Sequence, residues 1–193
     1  MIKEWNNNMK EKFVAAWIVC LDESMSVWTN KWTCPGWVFC PRKPKPWGNE
    51  YHSICCGLSG IMFGIEMVEG KHCPPELNTD PKNKKTIHLL LRLCKSIYGA
   101  GKIVILDSGF CVLEGLIELR KVGVFAGALV KKRRYWPKYV MGDMIDAHFT
   151  GMEVGSTDSY RGTLMDTQYD IFCMKESDYV MKIMSTYGGV DGE

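Results

Sequence analysis

Two short apolar runs, each closing on an aspartate, constrain this 193-residue chain more than any other feature. Phe13-Val14-Ala15-Ala16-Trp17-Ile18-Val19-Cys20-Leu21 ends at Asp22, and Lys102-Ile103-Val104-Ile105-Leu106 ends at Asp107. Near-continuous apolar stretches of this length suit strands buried on both faces, and a polar residue at the tip of such a strand can face a cleft. One aspartate after a strand is an ordinary turn former. Two in one chain restrict the topologies worth considering.

The segments between and beyond these runs supply the rest of the order. Residues 28–47 are dense in Pro, Gly and Trp and read as turns with a short edge strand near Val38-Phe39. Strands are predicted over 51–58 and 61–68, with Ser59-Gly60 as the tight turn, so the first three long strands form an antiparallel meander. After a polar loop over 70–85, residues 87–98 carry apolar side chains at helical spacing, and Gly99 and Gly101 stop that helix. Residues 112–121 repeat the helical pattern, Gly123 ends it, and 124–130 reads as another strand. The order β-β-β-α-β-α-β implies an α/β fold with a mixed sheet and flanking helices, of the RNase H-like kind. In that order the first and fourth strands lie side by side and bring Asp22 and Asp107 to one end of the sheet. Beyond Trp136 the periodicity weakens; 163–174 and 179–185 suit further strands. The expected division is a catalytic core over 12–138 and an acidic, β-rich insertion or extension over 139–193.

Charge follows the same division. Residues 1–138 hold 21 Lys and Arg against 12 Asp and Glu, while 139–193 hold 3 against 10. A basic first part is expected of a surface that meets nucleic acid, although a solvated basic face beside an acidic appendage accounts for the numbers too. Nine cysteines, an odd number after a polar start, fit free thiols in a reducing compartment better than a disulfide framework. No apolar run approaches the roughly 18 residues of a membrane span, so a soluble protein is expected.

Carboxylates held close together repel unless a cation lies between them, and hard oxygen ligands favour Mg²⁺ or Mn²⁺. Two such ions activate a water or a 3′-hydroxyl and stabilise the leaving oxygen of a phosphodiester. Four other signals lead nowhere. Gly99-Ala100-Gly101-Lys102 lacks the glycine spacing and following Ser or Thr of a phosphate loop. Cys34, Cys40, His52, Cys55 and Cys56 include no C-x-x-C pair, so buried thiols are the better reading than zinc. His72-Cys73 is an incidental loop pair, and no G-x-S-x-G element is present.

The ordered anchors point further. Leu21-Asp22-Glu23-Ser24-Met25, then Pro41-Arg42-Lys43-Pro44 with Trp47-Gly48, then Leu106-Asp107-Ser108-Gly109-Phe110, and finally Gly127-Ala128-Leu129-Val130-Lys131-Lys132-Arg133 resemble the piggyBac-type transposase pattern over roughly 19–137. The resemblance implies a DDE/D core that cleaves and rejoins DNA with a two-metal Mg²⁺ or Mn²⁺ site. Asp22 matches the first catalytic and metal-binding carboxylate, Asp107 the second, and Asp191 of Gly188-Gly189-Val190-Asp191 the third. A second alignment of residues 179–186 would put the third carboxylate beyond this chain, and both placements stay open. Glu23 is given an orienting part beside Asp22, not a ligand role. Asn49-Glu50 departs from the family, many of whose members carry a basic residue after the glycine. The basic run Lys131, Lys132, Arg133, Arg134 and Lys138, interleaved with Tyr135 and Trp136, suits phosphate pairing and base stacking, and Arg42, Lys43 and Lys45 form a smaller basic cluster. DNA, as transposon ends and target, is the expected partner, with a homodimer as the assembly to test and the nucleus as the compartment. Because no room is left for the family's flanking segments, a core fragment or a domesticated derivative that binds DNA without cutting it is the alternative. An interaction module that keeps only the fold is the other.

Overall fold

The computed structural model describes residues 1–34, 36–41, 43–68, 85–130 and 141–188. The chain divides into two compact units, Met1–Ser96 and Ile97–Glu193.

The first unit opens with helix α1 (Ile2–Lys12), followed by strands β1 (Ile18–Val27), β2 (Val38–Phe39), β3 (Trp47–Cys56) and β4 (Met62–Met67), and closes with helix α2 (Lys85–Cys94). β3 is its central strand: it pairs antiparallel with β1, and both β2 and β4 pair antiparallel with it. Along β1 the period-2 alternation is plain, with Val19 and Leu21 buried and Cys20 and Asp22 exposed. Leu21 lies opposite Ile54 of β3, and Ile54 opposite Gly64 of β4. A side chain at Gly64 would meet Ile54 at 2.7 Å and approach the Leu93 carbonyl of α2, so the helix packs on this face of the sheet. α2 buries Ile87, Leu89, Leu90, Leu93 and Cys94 together with His88, the expected outcome of apolar residues at helical spacing. Gly48 sits at φ 147°, where a Cβ would lie 1.9 Å from the Ser26 carbonyl oxygen. Only glycine lets β1 and β3 stay paired at that point.

Two expectations are corrected here. The apolar run from Phe13 was read as one strand ending at Leu21, yet β1 begins at Ile18 and continues to Val27, so Asp22 is mid-strand. Phe13 instead stacks against Phe63 with ring centroids 5.8 Å apart, and Trp17 is exposed; the early apolar residues serve the junction with α1. The strand runs on through polar residues because β3 continues to pair with it as far as Val27 opposite Gly48. α1 itself, which no apolar stripe announces, has no buried residue. It docks through Asn6, whose amide donates to the Ile65 carbonyl at 2.8 Å and accepts from the Ile65 N–H at 3.0 Å.

The second unit holds strands β5 (Ile103–Leu106), β6 (Phe125–Leu129), β7 (Thr157–Leu164), β8 (Thr167–Lys175) and β9 (Val180–Ser185), with helices α3 (Leu113–Lys121) and α4 (Gly142–His148). Its sheet runs β5-β6-β9-β8-β7 and is mixed: β5 and β6 are parallel, and the remaining pairs are antiparallel. The parallel pair is joined through α3, which buries Leu113, Leu116, Ile117 and Leu119. Gly123, at φ 74°, turns the chain out of α3, and a Cβ there would lie 2.9 Å from the Gly99 backbone. Residues 163–174, expected to hold strand, span the end of β7, a turn and most of β8, within a hairpin that begins at Thr157. Its two-residue turn is Met165-Asp166, with φ 51° and 58°, the primed geometry that suits the twist of paired strands. Opposite it in the ladder, the Tyr169 ring covers Gly162, where a Cβ would lie 2.5 Å from the ring.

The two units together give the mixed α/β architecture, with a mixed sheet and flanking helices, that the element order implies. Among the described residues no helix is long and apolar enough to cross a membrane.

Candidate functional site

Asp22 is delivered by β1 opposite Ser53 of β3, and its side chain is exposed. Its Oδ1 accepts the backbone N–H of Glu23 at 2.7 Å. That bond fixes the carboxylate against its own strand and leaves the second oxygen outward. Glu23 therefore orients Asp22 through its main chain, while strand alternation sends the Glu23 side chain to the opposite face.

Asp107 follows β5 directly and stands at φ −68°, ψ 163°, where it opens a 3-10 turn over Ser108–Phe110. Its carbonyl accepts the Phe110 N–H at 2.9 Å, and its exposed side chain makes no capping bond to the turn. Phe110 is buried and anchors the turn from below. Among the described residues neither Asp22 nor Asp107 forms an ion pair. Two exposed carboxylates, each held by a strand and not committed to a cation of the protein, suit hard divalent ions.

The other residues expected to act divide sharply. Asp191, Arg42 and the run Lys131, Lys132, Arg133, Arg134 and Lys138 lie outside the described residues, as does the His72-Cys73 pair. Lys45 is exposed. Lys43 is half-buried against β1: its ammonium donates to the Glu23 carbonyl at 3.4 Å and stands 4.0 Å from the Glu23 carboxylate.

A grouping that the sequence did not announce occupies the α2 face of the first sheet. Glu23 lies directly opposite His52, and Glu50 opposite Met25, so Glu23, His52 and Glu50 share one face. Their ligand atoms all lie within 4.8 Å of one another, and all three residues are half-buried. Burial holds the His52 imidazole below its ordinary value, against the upward pull of Glu23, Glu50 and Glu66. Glu66, opposite His52 on β4, is gripped by Arg92 of α2 through two hydrogen bonds of 2.9 and 2.6 Å. The signal for this cluster exists only in the strand register, since His52 had been weighed for zinc with cysteines. Of those cysteines, Cys34 is buried and bonded to Asn49 at 3.0 Å, while Cys55 of β3 faces Cys20 of β1. The cysteines among the described residues are all free thiols.

Pairs of opposite charge occur in the second unit. Lys182 of β9, almost wholly buried, donates to Asp146 of α4 and to the Val180 carbonyl at 3.2 Å. Arg161 and Asp170 pair across β7 and β8 at 2.8 Å, and His148 stands 3.1 Å from Asp158.

Comparison with known proteins bears on the family and the fold. A family model described as Transposase IS4 matches residues 1–193. The cryo-EM structure of a piggyBac transposase synaptic complex with hairpin DNA has the same fold, with a TM-score of 0.76 at 12% identity. The match covers 97% of this chain and 36% of that one, so this chain spans about a third of the transposase chain it matches. No curated protein sequence matches it.

Proposed function

Because the chain belongs to the Transposase IS4 family, we propose that it is the catalytic core of a piggyBac-type DDE/D transposase, acting on DNA by metal-dependent strand cleavage and transfer. The observation that carries this reading is the pair of exposed aspartates, Asp22 on β1 and Asp107 at the end of β5. The similarity to a piggyBac transposase bound to hairpin DNA supports the choice of substrate.

In this reading Asp22, Asp107 and Asp191 hold Mg²⁺ or Mn²⁺. Bound there, such ions would supply the charge that makes a water or 3′-hydroxyl a stronger nucleophile and would offset charge on the scissile phosphate. The chain's own share is to present acid oxygens from short, paired strands, where backbone hydrogen bonds limit their movement. The Glu23 N–H fixes one oxygen of Asp22, and the turn at Ser108–Phe110 sets where Asp107 projects. The incoming oxygen forms its bond to phosphorus as the 3′ oxygen leaves in line on the far side. Lys131, Lys132, Arg133, Arg134 and Lys138, with Arg42, Lys43 and Lys45, neutralise backbone phosphates and so position DNA without reading its sequence. A protein with this task works in the nucleus, on transposon ends and target, and a homodimer would hold two ends together.

Purified chain incubated with labelled duplex and Mn²⁺ is expected to nick it, and Asp22→Asn or Asp107→Asn to abolish the nick while DNA binding persists. DNA binding without cleavage by the unmodified chain would select the domesticated, DNA-binding derivative instead. Salt-insensitive association would point to an interaction module, because phosphate contacts lose affinity steeply with salt.

A further inference from the structure

The proposed catalytic chemistry uses Asp22 but not the three residues on the other face of the same strands. Glu23 and His52 are cross-strand partners, and Glu50 is two residues from His52 along β3, so alternation points all three side chains to one side. Directly opposed side chains on paired strands have Cβ atoms about 4.5–5.5 Å apart, close enough for their tips to meet around one ion. Here the ligand atoms already lie within 4.8 Å of one another. Ligands bound at about 2.0–2.2 Å to a shared cation stand somewhat closer than that. A modest side-chain rotation closes the set.

The surroundings favour a cation. Three carboxylates, Glu23, Glu50 and Glu66, act on His52, with Arg92 opposing them. Arg92 is engaged by Glu66 in a two-bond fork. The Lys43 ammonium stands 4.0 Å from the Glu23 carboxylate, beyond hydrogen-bonding distance. It holds the position of a weak, displaceable counterion. One imidazole nitrogen with two carboxylates is a mixed donor set that suits Zn²⁺, Mn²⁺ or Co²⁺ and suits Mg²⁺ poorly, since Mg²⁺ prefers oxygen and retained water.

We propose that Glu23, Glu50 and His52 form a second metal site, selective for a transition-series divalent cation and separate from the site that Asp22 serves. The two sites lie on opposite faces of β1, one residue apart. An ion on Glu23 and His52 clamps β1 to β3 and thereby stiffens the backbone N–H that holds Asp22. The site is structural in effect and does not touch the scissile phosphate.

The test uses the full chain stripped with chelator and titrated with Co²⁺ alone, without DNA, in the unmodified protein and in Asp22→Asn/Asp107→Asn. Both are expected to bind Co²⁺ with visible ligand-field bands, displaced by Zn²⁺ and not by Mg²⁺. His52→Gln and Glu50→Gln should each weaken binding by about tenfold or more, with the fold checked by circular dichroism, and Lys43→Met should tighten it. A readout that needs no variant is the His52 imidazole nitrogen resonance, which should shift on adding Zn²⁺. The proposal is overturned if the unmodified chain binds no Co²⁺, if His52→Gln keeps the parent affinity and bands, or if the His52 resonance does not move. Loss of Co²⁺ binding in the Asp22→Asn/Asp107→Asn variant would overturn it too, by merging the two sites. Failure of DNA cleavage leaves all of these readings intact, so the two proposals fail separately.

Discussion

In the second unit Lys182 meets Asp146, Arg161 meets Asp170 and His148 meets Asp158, whereas on the α2 face of the first unit Glu23, Glu50 and Glu66 crowd one imidazole. Pairs of the first kind tie elements together: α4 to β9, and β7 to β8. A crowd of like charges costs energy that cations offset; here Arg92 grips Glu66 and Lys43 stands beside Glu23, and a bound metal ion would add to them. The difference separates charges matched one to one from charges gathered around one imidazole, and each side of it can be broken by substitution.

The largest expected effect falls where the two units should behave alike. Asp22→Asn and Asp107→Asn should each lower Mn²⁺-dependent nicking by about a thousandfold, the scale of losing one electrostatic contact to a transition state. Both side chains are exposed, so the unfolding free energy from urea melts should change by no more than about 0.5 kcal/mol. Unfolding of either variant would show that the carboxylate belongs to the fold instead.

Next comes the asymmetry of the buried pair. Asp146→Ala removes the carboxylate beside the Lys182 ammonium, only 4% exposed, while leaving it the Val180 carbonyl, and should cost about 1.5–3 kcal/mol in denaturant melts. Lys182→Met should cost clearly less, because Asp146 is 46% exposed and regains water. Equal losses would mean that packing of the lysine stem, and not charge, dominates there.

Alkali should act on both units through their thiols. Burial pushes Cys94 up to about 12 in the first unit, and Cys111 to about 12 and Cys173 to about 11 in the second. Unfolded thiols ionise from their ordinary value near 9 while the folded ones stay protonated, so the native state holds more protons above that pH. Stability is therefore full below about pH 9 and falls as pH rises toward these folded values. The slope should approach about 1.4 kcal/mol per pH unit for each thiol. Cys94→Ala should flatten its share, which a melt series from pH 8 to about pH 11 checks.

The smallest effects test the edges of the contrast. Arg92→Ala removes the fork on Glu66 and should cost about 1 kcal/mol, since both side chains are about a quarter exposed. Met165→Asn with Asp166→Gly should instead raise stability by about 1 kcal/mol, because both positions have positive φ and Met165 is 56% exposed.

The strand and helix order from β1 to β6 was legible because buried strands and amphipathic helices write their burial into local periodicity. Asp107 came out where the run Ile103–Leu106 put it. Asp22 was displaced from strand tip to mid-strand because β1 runs on through polar residues that β3 pairs as far as Val27, a continuation that hydrophobicity does not mark; nor does it separate Phe13, at the α1 junction, from Val19 and Leu21, which face the core. α1 was invisible for the opposite reason: a polar helix held by two hydrogen bonds from one asparagine leaves no apolar pattern. The Met165-Asp166 turn was hidden by its composition, since neither residue is the glycine or asparagine such turns favour. Glu23, Glu50 and His52 could be joined only once the register of β1 on β3 was known, because pairing distance is not encoded within either segment.

The Asn6 contact to β4 has a consequence for the protein's behaviour at high concentration. A strand edge with open N–H and C=O groups recruits strands from other molecules. At Ile65 both groups are already taken by one side chain of α1, so the helix acts as a guard against self-templating growth. Losing that guard, by trimming α1 or by Asn6→Leu, would open the β4 edge to edge-to-edge aggregation without disturbing the core.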